Sequence, residues 1–144
     1  MGRGAFAEID HTADLGLELR GRTPAEVLEA AQRGLVHALF GEAPDVEPEE
    51  AREIELGAPS WPDLLKAWLE ALYRLLEEEG FVAIDSRVET VETSEHARLR
   101  AEVRGAVADR EAIARASELK AVTYHQLAFE RANDHWRARV IFDV

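Results

Sequence analysis

Leu15, Leu17 and Leu19 alternate with Gly16, Glu18 and Arg20, the period-two pattern of a strand with one buried face. The segment from about Ala5 to Ile9 predicts its partner, with Asp10 to Asp14 as the tight connection between them. Thr23-Pro24-Ala25-Glu26 then reads as a capping box with Pro at the first helical position. The helix it opens extends to about Phe40, with Val27, Leu28, Ala31, Leu35 and Leu39 on one stripe and Gly41 as its stop. Glu42 to Glu50 is acidic, carries Pro44 and Pro48, and predicts a loop. A weak alternation over Arg52 to Leu56 suggests a strand. Ser60 precedes a second helix, from about Pro62 to Glu79, whose apolar stripe runs from Leu64 through Trp68 and Leu72 to Leu76.

Beyond Gly80 the chain turns β-rich. Phe81 to about Thr93 predicts one strand, bent at Asp85-Ser86. Ala97, Leu99, Ala101 and Val103 alternate with Arg98, Arg100, Glu102 and Arg104 in a second. Asp109 to Ala116 is weakly helical. Two last strands, about Val122 to Glu130 and Trp136 to Val144, are joined by a turn at Ala132-Asn133-Asp134. The sum is an α+β fold: a single domain over residues 1–144, with a largely antiparallel β-sheet packed with two main α-helices.

Composition narrows the function classes. A chain of 144 residues, 47% hydrophobic and 32% charged, can bury one ordinary core. No apolar run approaches the roughly 20 residues of a membrane span, and no signal-peptide pattern opens the chain, so a cytoplasmic protein without a membrane partner is expected. The absence of cysteine excludes disulfides, thiolate catalysis and cysteine-bound zinc. A net charge of −12 opposes direct binding of nucleic acid, whose backbone needs Lys and Arg to replace its counterions. It suits a basic protein partner or a cation, although Arg137 and Arg139 with Lys120 offer a local basic patch. The same acidity also serves solubility.

Two short acidic segments carry the candidate chemistry. Asp10, His11 and Asp14 crowd one connection, where turn hydrogen bonding and an oxygen-ligand metal site both account for them. At the other end, Trp136, Ala138, Val140, Phe142 and Val144 share one strand face, with Arg137, Arg139, Ile141 and Asp143 opposite. Such an ordered end sets the Asp143 carboxylate beside that of Val144, a repulsion that a bound cation would offset; plain solvent exposure of Asp143 is the other reading. His125, alternating with Thr123, Leu127 and Phe129, reads as structural, and Glu118 with Lys120 reads as a surface pair. The three tryptophans occupy core-like positions. Gly-rich phosphate loops, a His-Glu-x-x-His motif and a nucleophile elbow are all missing, which favours a helper over an enzyme.

These segments resemble the archease family. The likeness rests on Glu8-Ile9-Asp10-His11-Thr12-Ala13-Asp14-Leu15-Gly16, on Leu64-Leu65, Trp68-Leu69 and Leu72-Tyr73, on Glu79-Gly80-Phe81, on Glu118 through His125, and on Trp136 through Val144. It implies an α+β accessory protein, not itself an enzyme, that activates the RtcB-type RNA ligase of tRNA splicing and RNA repair. In that family the activator speeds ligase guanylylation and allows multiple turnover. By the same likeness Asp14, Asp143 and Val144 hold a divalent cation, Ca²⁺ in the first place with Mg²⁺ or Mn²⁺ as alternatives, and Lys120 contributes to activation. Glu42 to Glu50 and Asp109 to Ser117 depart from the family pattern. Two rival classes are a chaperone or modulator of RNA-modifying enzymes, such as a tRNA methyltransferase, and a stand-alone metal-dependent phosphohydrolase. The latter ranks last for want of a general base.

Overall fold

The computed structural model describes residues 4–11, 14–41, 47–116 and 121–143. Strands β1 (Ala5–His11) and β2 (Asp14–Gly21) precede helix α1 (Pro24–Phe40), strand β3 (Glu50–Ala58) and helix α2 (Trp61–Glu79). Strands β4 (Phe81–Glu92) and β5 (Ala97–Val107), the short helix α3 (Arg110–Arg115), and strands β6 (Ala121–Ala132) and β7 (His135–Asp143) complete the order. The strands form two antiparallel sheets rather than one, β1-β2-β7-β6 and β3-β5-β4.

Both long helices begin where their caps put them. Thr23 Oγ1 accepts the Glu26 N–H at 3.2 Å, but the reciprocal arm of the expected box shifts by one residue: Glu26 Oε1 accepts the N–H of Arg22, at 2.8 Å. Ser60 Oγ accepts the Asp63 N–H and donates to Asp63 Oδ2, so α2 starts at Trp61, one residue earlier than its proline suggests. Gly80 ends it in the left-handed conformation, φ 69°, a geometry that a side chain disfavours.

The helices lie between the sheets. α1 packs on β1 and β2 of the four-stranded sheet and on β4 of the other, while α2 packs on β6 and on β3, β4 and β5. Leu17 and Leu19 of β2, Leu28 of α1, Leu64, Leu65 and Trp68 of α2, and Val140 and Phe142 of β7 are buried in this shared core. The Trp68 indole N–H donates to the Leu28 carbonyl at 2.8 Å, joining the two helices inside it. The three-stranded sheet turns its other face to solvent, as the buried–exposed alternation of β5 records. No helix of the described residues is long and apolar enough to cross a membrane.

Two strands depart from regular pairing. β4 shifts register between Ala83 and Asp85, just ahead of the expected bend. In β6 the shift is larger, since Thr123 pairs with Ile141 but the next paired residue, Ala128, meets Arg139.

Candidate metal centre

β7 lies between β2 and β6, and that position brings the two acidic segments together. Asp14 is the register partner of Asp143 across β2 and β7, and Asp143 is in turn the partner of Ala121 at the start of β6. His11, on β1, is the partner of Asp14. One row across the whole sheet thus reads His11, Asp14, Asp143, Ala121, although Asp14 and Asp143 stand more than a hundred residues apart in sequence. Opposed Cα atoms in an antiparallel pair are about 4.5–5.5 Å apart. The expected connection from Asp10 to Asp14 is shorter than the sequence suggested: Asp10 and His11 belong to β1, and Asp14 opens β2.

The end of β7 is held on every side. Val140 and Phe142 are fully buried against the helices, and Ile141 is 1% exposed on the opposite face. Thr123 Oγ1 donates to the Ile141 carbonyl at 3.1 Å. Gly16, the partner of both Ile9 and Ile141, leaves room for them to close over it; a Cβ there would lie 2.8 Å from Ile141 Cδ1 and 3.1 Å from Ile9 Cβ. Asp143 follows directly and is exposed. An acid at the rim of a sheet thus rests on an anchored strand.

Lys120 and Val144 lie outside the described residues, as do Thr12, Ala13 and the side chains of Asp10, His11 and Asp14. Among the described residues no group of three or more His, Cys, Asp or Glu is arranged to hold a metal. Like charges at opposed positions repel, and carboxylate oxygens suit hard cations such as Ca²⁺, Mg²⁺ or Mn²⁺.

The other candidates resolve differently. Arg139 donates to Gln126 Oε1 at 2.8 Å and to Glu18, and Arg137 pairs with Glu130 at 3.0 Å. The two arginines of the basic patch are therefore neutralised by neighbouring carboxylates. Trp61 and Trp136 form a cluster with Phe129, with ring centroids 5.4–6.0 Å apart, so all three tryptophans serve packing. His125 does not sit in the Thr123–Phe129 alternation that the sequence suggested. Tyr124, His125, Gln126 and Leu127 together stand opposite Val140 alone, and the excess residues bulge out of the sheet with His125 exposed. No glycine or proline marks this bulge, so hydropathy patterning passes over it. It gives only a faint sign of the buried Gln32, whose Nε2 donates to the Ala83 carbonyl at 2.7 Å and whose Oε1 accepts from Ser86.

Comparisons with known proteins agree over the whole fold. Residues 6–144 match the profile of the Archease protein family (MTH1598/TM1083). "Protein archease" of Thermococcus gammatolerans is 37% identical over 96% of the chain and 98% of its own length. That of Methanopyrus kandleri is 34% identical over 96% and 99%. The solution structure of Methanobacterium thermoautotrophicum protein 1598 is similar throughout, with a TM-score of 0.78 at 28% identity and full coverage of both chains. A Thermotoga maritima crystal structure, described as an archease and possible chaperone, shares the fold at a TM-score of 0.61, 24% identity and 94% coverage of each chain.

Proposed function

Because the chain belongs to the archease family, we propose that it is a non-catalytic cytoplasmic accessory protein that activates an RtcB-type RNA ligase in tRNA splicing and RNA repair. The observation that carries this reading is the register pairing of Asp14 with Asp143 at the rim of the four-stranded sheet. In this reading the two carboxylates, with main-chain or terminal oxygens of Val144, are the ligands for a divalent cation, Ca²⁺ foremost. When bound, such a cation offsets their mutual repulsion and supplies the positive charge that phosphoryl transfer to a ligase histidine requires. Lys120 precedes Ala121, which occupies the same row, and acts as a second cationic group toward the phosphates. Docking places this rim at the ligase's nucleotide site. It acts there either by positioning phosphate or by favouring the guanylylation-competent ligase conformation, which requires a higher affinity for that conformation.

The test is ligase guanylylation with wild-type protein, Asp14→Ala and Asp143→Ala. Both variants should lose activation at least tenfold while unfolding at the wild-type temperature, as expected for groups that act on charge rather than on packing. Folded variants that activate like wild type would remove the metal rim from the mechanism, and would favour the chaperone reading suggested by the description of the Thermotoga protein. Deleting Val144 tests that ligand separately: undiminished Ca²⁺ affinity would take it out of the set.

A further inference from the structure

The β6 bulge is built, not frayed. Thr123 Oγ1 accepts the His125 N–H at 3.2 Å while donating to Ile141, so the first turn of the bulge is tied to β7. Gln126 is held at φ 54°, a left-handed conformation costly for a residue with a Cβ, and Arg139 clamps its side chain from below. Within this frame Tyr124 is 67% exposed, the most exposed of the large hydrophobic side chains described. Lys66 of α2 sits over one face of its ring, with Nζ 5.0 Å from the centroid. The fold thus gives up strand pairing and accepts backbone strain to keep an aromatic ring out of its own core.

Position adds to this. The Thr123–Ile141 row, where the bulge begins, lies two strand residues from the Ala121–Asp143 row, which is about 7 Å. We infer that the Tyr124–Gln126 bulge is the anchor by which this protein grips its partner, with Tyr124 entering an apolar pocket on a net-basic protein surface. This rests on the proposed role as a ligase activator and names the contact through which that role is exercised. Charge complementarity sets the occupant: the chain carries −12, and the nearby cations are already paired, Arg137 with Glu130, Arg139 with Glu18 and Lys66 with Glu70. An RNA backbone is repelled at long range by a chain of that charge, whereas a basic protein is drawn to it. Rigid, exposed tyrosines ringed by polar groups are the side chains that dominate protein interfaces.

The experiment titrates the full chain and its Tyr124→Ala, Tyr124→Phe and Asp143→Ala variants into a purified RtcB-type ligase with Ca²⁺ or Mn²⁺ present. Complex formation and guanylylation are read in parallel. Tyr124→Ala should weaken complex formation about tenfold or more yet reach the wild-type rate of guanylylation at saturation, and Tyr124→Phe should keep most of the affinity. Asp143→Ala should show the reverse, binding without activating. An affinity for Tyr124→Ala within twofold of wild type would overturn the anchor and leave the metal rim standing. A wild-type chain that neither binds nor activates the ligase would end the activator reading, and the anchor with it. Saturable tRNA binding that Tyr124→Ala abolishes would show the occupant to be RNA and overturn the protein pocket.

Discussion

At the scale of single residues, the tightest point is Gly105. It is the partner of Ala83 on one side and Glu50 on the other, and a Cβ there would lie 1.8 Å from the Val82 carbonyl oxygen. A backbone carbonyl cannot swing aside as a side-chain tip can, so Gly105→Ala should destabilise by about 3 kcal/mol or more, read as a lowered urea midpoint. Gln32 stands on the far side of the same irregularity and spans from the Ala83 carbonyl to Ser86. Replacing it with leucine strands both partners and should cost about 2 kcal/mol; adding Ser86→Ala should recover part of that loss. An unchanged urea midpoint for Gln32→Leu would mean that the network contributes nothing. The sequence carried a faint sign of this residue, a lone amide between Leu28 and Leu35 on an otherwise apolar stripe. Gly105 carried none, since nothing in the pattern of β5 tells which backbone will approach it.

Elements were legible in proportion to their length and punctuation. α1 and α2 have caps, terminal glycines and four to five turns of apolar repetition, and their ends emerge within a residue of expectation. β5 alternates cleanly because one face meets the helices, whereas β7 buries Val140, Ile141 and Phe142 in succession. β6 was the failure. Its residues alternate well enough to pass for a straight strand, and only the pairing with β7 reveals that four of them oppose one. Gln126 is where that error becomes testable. A β-branched residue resists positive φ, so Gln126→Val should lower stability by about 1–2 kcal/mol, whereas Gln126→Asn should be tolerated. Equal melting temperatures for the two variants would deny the strain at this position.

For the whole molecule, periodicity told which face of each strand is buried but not which strands share a sheet. That is why a single sheet was expected where two enclose the helices. The candidate site shows the same division. Asp14 and Asp143 are visible as acidic positions in sequence, yet their adjacency depends on β7 lying between β2 and β6, a property of topology. The net charge of −12 acts at this scale too. Association with a basic partner should slow about tenfold or more between low salt and about 0.5 M NaCl, measured by stopped-flow mixing, while dissociation changes little. Salt-independent association would assign recognition to packing alone.

The central place of β7 also has a consequence in time. During synthesis β1 and β2 emerge early, but between them and β6 the position waits for residues 135–143. Until those residues arrive, the hairpin has no neighbour on its inner edge, and the long-range closure that follows is the slow kind. The two aspartates therefore become register partners only as the sheet closes. A nascent or truncated chain without β7 carries both helices and most strands, yet lacks the row in which Asp14 and Asp143 pair.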